Sequence, residues 1–384
     1  MARLLPKHSK NTYNLDYEQL TYRIAFASIA NMSIDLAKKF LDVIPSEQDF
    51  FAMSTKELQH IANSRSKVLT GAYRKEKLEA AKQEIEFITK NKILPTHYTD
   101  KEFSSRLAEA PDAPTMLFTM GNCDLNAKHI ISIVGTRHAT AYGKSFVNRL
   151  IADIAASLDD VVVVSGLAYG IDIAAHEACL KQGIPTVAVL AHGLNTIYPS
   201  SHRRYAADII HSNGMLITEY TSQSSINKGN FVARNRIVAG LSDCTIVVES
   251  AKHGGALITA NIAQSYNREV FAVPGRTTDE YSVGCNHLIQ NNGAQLVTNL
   301  DDIIESMHWA KKESAVTPQQ KTLFPELSPE EEAILQIIKE QDSVHINTLA
   351  QTLKKPVYQL LSTLVEMEFK GIVSSLPGSR YAIA

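Results

Sequence analysis

The sequence predicts an α/β protein: a parallel sheet with helices on both faces, flanked by a helical N-terminal unit and a C-terminal winged helix. Three observations predict it. From His129 onward, short β-branched runs alternate with longer amphipathic stretches, as in a sheet built from crossover units. Before residue 92, apolar residues recur at helical spacing with almost no Gly or Pro. After residue 326, three short helical patterns precede a stretch that reads as a two-stranded ribbon. A chain of 384 residues suits two or three such units, at roughly 150 residues each.

The N-terminal unit, 1–92, repeats Leu36, Phe40 and Leu41, then Leu58, Ile61, Leu69, Leu78 and Ile85. Ser46 and Ser54, each followed by carboxylates, are helix starts, because a hydroxyl caps free N–H groups and acids suit the positive helix end. The α/β unit, 93–310, opens with a connecting segment to residue 122 that carries Pro95, Pro111 and Pro114 and shows little periodicity. Strands are expected over 130–134, 161–165, 186–191, 215–219, 244–249, 270–273 and 295–297. Each is continuously apolar, as burial on two faces requires. Helices are expected over 142–156, 172–182, 202–212, 237–241 and 260–266. Residues 311–326 are polar and patternless, hence a linker. The last unit, 327–384, starts with a Ser cap, an early Pro and three Glu, then has helical patterns over 345–353 and 356–369.

Composition excludes several classes. With 38 Lys plus Arg against 40 Asp plus Glu, bulk charge does not attract nucleic acid, so any such binding is local. Cys123, Cys179, Cys244 and Cys285 form no CxxC pair, which disfavours zinc knuckles and disulfide frameworks and suits a reducing cytoplasm. The basic N-terminal stretch lacks the apolar run of a secretory signal, and no apolar stretch approaches the ~20 residues of a membrane helix. A soluble, cytoplasmic protein is expected.

The chemistry gathers where strands end. Gly135-Thr136-Arg137 follows the first strand and Gly166 to Gly170 the second, where glycine lets backbone N–H groups approach an anion. Neither loop has the spacing of a dinucleotide or Walker motif. His253-Gly254-Gly255 follows another strand end. The densest cluster is Lys228, Phe231, Arg234 and Arg236, which combines cations for phosphates with a ring for a base, as single strands require. From 202 to 236, five Lys or Arg face two acids. Asp172 and His176 lie one helical turn apart, but a first-turn Asp is ordinarily a cap and no third ligand has suitable spacing, so no metal or cofactor is expected. Ser165 lacks the setting of a hydrolase nucleophile.

Together these residues resemble the DprA/Smf family of bacterial DNA-processing proteins. The likeness rests on Gly135-Thr136-Arg137 through Tyr142-Gly143, on 165–172 with Ala175-His176, and on Tyr198-Pro199. It continues through Phe231 to Ser242, 255–260, Val273-Pro274-Gly275, 284–289 and Gly293-Ala294. The resemblance implies an extended Rossmann-like sheet domain between a SAM or helix-hairpin-helix-like N-terminal domain and a winged helix. It implies a non-enzymatic homodimer that binds single-stranded DNA, protects incoming DNA and loads the RecA recombinase in natural transformation. Carried onto this chain, the DNA contacts are Gly135, Arg137, Lys228, Phe231, Arg234, Asn235 and Arg236, with Ser165, Gly166 and Gly255 shaping the pocket. The chain departs from the family at Val232, Thr140 and His253-Gly254, where Pro, Ser and Lys-Ser are usual.

A nucleotide-binding or phosphoribohydrolase-like enzyme on a related fold is the alternative, with Glu249 as its acid, although a PGGxGTxxE loop is missing. A duplex reader is disfavoured because 327–384 holds seven acids against five Lys or Arg.

Overall fold

The structure is a computed structural model and describes residues 16–312, 327–341 and 343–383. Most of the expected linker and the basic N-terminal stretch lie outside the described residues.

The N-terminal helices are α1 (Tyr17–Ala27), α2 (Ile34–Leu41), α3 (Glu47–Ala52), α4 (Thr55–Ile61) and α5 (Gly71–Asn91). Ser46 caps α3, and Ser54 forms a capping box with Glu57 at α4. Phe26, Phe40, Phe50, Leu58 and Leu69 close a small core of their own.

The central unit runs β1 (Leu94–His97), α6 (Ser105–Ala108), β2 (Met116–Gly121), β3 (His129–Val134), α7 (Ala141–Ser157), β4 (Val161–Ser165), α8 (Ile171–Gln182), β5 (Thr186–Val189), α9 (Arg203–His211) and β6 (Met215–Thr218). It continues with α10 (Lys228–Leu241), β7 (Cys244–Val247), α11 (Gly255–Ser265), β8 (Glu269–Ala272), α12 (Val283–Gln290), β9 (Gln295–Leu296) and α13 (Leu300–Met307). The sheet order is β1-β2-β6-β5-β4-β3-β7-β8-β9, parallel from β6 to β9. All seven expected strands are present. β1 and β2 extend the sheet antiparallel within the segment read as a connector. Pro95 hides β1, which it can occupy because β1 is an edge strand.

Strand alternation divides the core. Ile130, Val162, Val164 and Val247 face α10, α11 and α12, while Ile131, Ile133, Val163 and Ile246 face α7, α8 and α13. On that second face, α1 and α5 of the N-terminal unit share a core with Met116, Phe118 and Leu216 of the antiparallel end.

The winged helix comprises α14 (Pro329–Lys339), β10 (Val344–His345), α15 (Ile346–Leu353), α16 (Val357–Phe369), β11 (Val373–Leu376) and β12 (Arg380–Ile383). The expected ribbon is a three-stranded sheet, β10-β12-β11. Arg380 joins Glu109 at 2.7 Å, and the same carboxylate holds Arg268 at 2.9 Å. Arg268 precedes β8, so the winged helix is tied to the amino edge of the sheet, away from the glycine loops. No helix among the described residues is long and apolar enough to cross a membrane.

Candidate nucleic-acid interface

Strand β3 lies between β4 and β7, and the chain winds away from it in both directions. Loops leaving β3 and β7 therefore diverge and open a crevice at the carboxyl edge, the place where ligands enter doubly wound sheets. The three loops lead into α7, α8 and α11. Thr140 caps α7, whereas α8 and α11 start at Gly170 and Gly254 with no side-chain cap. Gly170 has φ +81°, and a side chain there would strike the Thr136 carbonyl. Gly255 is exposed, with open space about its Cα, so the first amides of α11 are accessible to an anion.

The basic cluster does not precede a helix at 237. It forms the first turns of α10, because the Asn227 side chain accepts the Asn230 amide at 3.0 Å and starts the helix at Lys228. Helical phase then separates residues that a loop would leave equivalent. Arg234 turns inward with Ile237 and Leu241, while Lys228, Val232 and Ala233 are exposed and Phe231 and Asn235 are half-buried.

This corrects the expected roles of two arginines. Arg234 is buried; its guanidinium donates to the Gly166 carbonyl at 2.7 Å and to the Val189 carbonyl, and its Nε to Asn235 Oδ1 at 3.3 Å. It supports the loop after β4 from below, and a Cβ at Gly166 would overlap it. Burial raises the nearby Asp172 carboxyl, an effect opposed chiefly by the Arg234 charge. Arg236 is committed to Glu219 at 2.6 Å and approaches Asp112 at 4.0 Å. Ser165 is buried and donates to the Ile133 carbonyl at 2.7 Å, joining β4 to β3 below the crevice.

Arg137 and Lys228 remain exposed, and neither forms an ion pair among the described residues. The Arg137 guanidinium sits 5.9 Å from the centre of the Phe231 ring. The other neighbour of that ring is Tyr198, edge-on at 5.6 Å and 51% exposed. Arg137 also lines a cavity of about 500 Å³ together with His138, Lys144, Tyr169 and Glu177. Tyr169 is held by Ser201, 3.1 Å from its hydroxyl. Tyr169 and Tyr198 were not singled out as site residues in the sequence, although both stand in strand-end loops, where an aromatic has little packing reason to be. Cations beside rings in one crevice can hold phosphates and stack bases.

Other candidate chemistry is occupied by structural bonds. His176 Nδ1 lies 2.8 Å from Thr186 Oγ1, and burial lowers its pKa to about 3. Glu249 accepts from the Thr140 amide at 2.9 Å and the Thr140 hydroxyl at 2.5 Å, so its carboxylate secures the start of α7. Among the described residues, no group of three or more His, Cys, Asp or Glu is placed to hold a metal.

The family described as DNA recombination-mediator protein A matches residues 95–308, and the DprA winged helix domain matches 318–379. The chain is 36% identical over 301 residues to Protein Smf of Escherichia coli, covering 74% of this chain and 77% of that protein. It is 41% identical over 198 residues to DNA processing protein DprA of Streptococcus pneumoniae, covering 52% and 68%. The structure of the Streptococcus pneumoniae protein superposes with a TM-score of 0.63 at 32% identity, over 76% of this chain and 97% of that one. DNA processing protein A of Helicobacter pylori, described for its single-stranded DNA binding mode, superposes with a TM-score of 0.50 at 29% identity, over 56% and 95%. With an α/β domain and a winged helix that both match, the chain belongs to the DprA/Smf family of DNA recombination-mediator proteins.

Proposed function

We propose that this protein binds single-stranded DNA along the carboxyl edge of its sheet and acts without chemistry on the strand. In this reading it protects incoming DNA and loads a RecA-type recombinase during natural transformation, as a cytoplasmic homodimer. The observation that carries the DNA reading is the exposed Arg137 guanidinium over the half-buried Phe231 ring, beside Tyr198 and at the switch point. Arg137 and Lys228 contact phosphates, Phe231 takes a base, and the amides at Gly135, Gly166 and Gly255 approach the backbone. Ser165, Arg234, Asn235 and Arg236 shape this surface from within. The Helicobacter pylori relative is described as binding single-stranded DNA, which supports the same ligand here. The commitment of Glu249 to Thr140 weighs against a phosphoribohydrolase.

The test is fluorescence anisotropy of the full chain with single- and double-stranded oligonucleotides of one sequence, with and without magnesium. Preferential, magnesium-independent binding of an intact single strand is expected, weakened by Arg137→Ala. Equal affinity for both forms, strand shortening, or indifference to Arg137→Ala refutes the reading.

A further inference from the structure

The N-terminal unit gathers its positive charge at one end. Residues 16–53 hold six acids against three Lys or Arg, whereas 54–75 hold Lys56, Arg65, Lys67, Arg74 and Lys75 against Glu57 alone. Arg74 is buried and donates to the carbonyls of Phe50, Phe51 and Met53, so it fastens α5 to the end of α3. Glu57 is engaged at its own helix start, where it accepts the Ser54 amide at 2.9 Å. Lys56, Arg65, Lys67 and Lys75 are exposed, and none forms an ion pair among the described residues. The fold brings them to one end. The Gly71 amide donates to the Thr55 hydroxyl at 3.1 Å, so the first turns of α4 and α5 touch, with Lys56 next to one partner and Lys75 one turn beyond the other. Arg65 and Lys67 lie on the connection between the two helices, which is ordered by its own bonds: the Ser66 amide donates to the Ser64 hydroxyl at 3.2 Å, and the Thr70 hydroxyl to the Lys67 carbonyl at 2.8 Å. Like charges gathered without an acid partner repel one another, so this placement does not serve the fold and points to an external anion.

Helix α5 leads from that end toward the crevice. Glu84 accepts the Ser222 amide at 2.8 Å, and Gln83 accepts from Gln223 at 2.8 Å. Both bonds reach the connection that enters α10, and this connection holds no charged residue between Ser222 and Lys228. The helix between Gly71 and Glu84 spans roughly 20 Å at the usual rise per residue. We propose that a single strand leaving the crevice past Lys228 runs beside α5 and is held a second time, through its phosphates, by Lys56, Arg65, Lys67 and Lys75. The ring nearest this end, Tyr73, is half-buried with the Lys77 ammonium 4.9 Å from its centre, so bases have no free face to stack on and the grip is blind to sequence. The inference rests on the single-strand reading of the crevice and adds a second, tethered contact to it, which strengthens binding only of strands long enough to reach both.

Fluorescence anisotropy of the full chain with single strands of about 5 and about 40 nucleotides tests this, the shorter being close to a single-site footprint. Each phosphate contact on a single strand carries a salt slope of about 0.7, equivalent to about five-fold in affinity between about 1 M and 0.1 M salt. Changing Arg65 and Lys67 together to Ala should therefore weaken binding of the long strand by about ten- to 25-fold at about 0.1 M salt and lower its slope by about 1.4. The short strand should bind this variant as it binds the parent. Melting temperature should barely change, because both side chains are exposed, and the charge-keeping pair Arg65→Lys with Lys67→Arg should restore long-strand binding. Undiminished long-strand binding by the Ala variant, an equal loss at both lengths, or a loss seen only with a duplex of the same length overturns the proposal. Arg137→Ala in the same titrations reads the crevice separately: its indifference at both lengths refutes the crevice reading, whereas a normal Arg137→Ala loss beside an indifferent Arg65/Lys67 variant refutes the second grip alone.

Discussion

Replacing Phe231 separates stacking from packing, and the structure gives the size of each. Full truncation of a buried Phe costs about 3 to 5 kcal/mol of stability. Here the ring is half-buried, edge-on to Tyr198 and beneath Arg137. Phe231→Ala should therefore cost only about 1 to 2 kcal/mol of stability, with about 0.5 kcal/mol recovered from the helix propensity of Ala in α10. Base stacking on an aromatic is worth roughly 1 to 3 kcal/mol, so single-strand affinity should fall about five- to 150-fold. The ring also seats Arg137, a cation–π contact worth about 0.5 to 1 kcal/mol at an exposed site. If Arg137 loosens with the ring, the salt slope falls by at most about 0.7, one phosphate contact on a single strand. Phe231→Tyr should bind nearly as the parent does, and Phe231→Leu should keep the fold but lose the stacking. Anisotropy titrations across a salt series, beside thermal unfolding, read both effects. Undiminished binding by a folded Phe231→Ala protein, or a binding loss that tracks the unfolded fraction, refutes the stacking role.

Arg234→Met should cost about 3 to 5 kcal/mol of stability, because it leaves Asp172 buried without its cation, whereas Lys228→Ala should leave the melting temperature unchanged and lower the salt slope by about 0.7. Equal melting temperatures for the two variants would contradict the structural role of Arg234. Acidification should destabilise the fold: burial lowers the pKa values of His97 and His176 to about 3 and of His129 to about 4. These groups stay neutral when folded and protonate near 6.5 when unfolded, so stability present above pH 6.5 is lost as pH falls toward 4, by up to about 2 kcal/mol per histidine at pH 5. Chemical denaturation at pH 7.5 and 5 checks the sign; equal stability at both would refute it. Glu249→Ala should weaken the start of α7 and lower stability by about 1 to 2 kcal/mol without altering release of base from a nucleoside monophosphate. Base release by the parent that vanishes in the variant would favour the enzymatic alternative.

The sequence by itself determined the parallel core, because a strand buried on both faces has to be apolar throughout, and 161–165 or 244–247 admit little else. It also determined where the crevice lies, since glycines at strand ends mark close backbone approach wherever the sheet is placed. β1 was hidden by Pro95, whose place at an edge depends on the non-local pairing of β2 with β6, in which Phe118 meets Thr218 and Gly121 meets Met215. The direction of each cation was decided only in three dimensions. Lys228, Arg234 and Arg236 are alike in composition, and only the start of α10 at Asn227 gives them a helical phase. That phase sends Arg234 to the carbonyls of Gly166 and Val189 and Arg236 to Glu219, and leaves Lys228 in solvent. Likewise, the pairing of Arg137 with Phe231 and Tyr198 joins three separate loops or helices, and it exists only because the sheet order brings β3, β5 and α10 together at one edge.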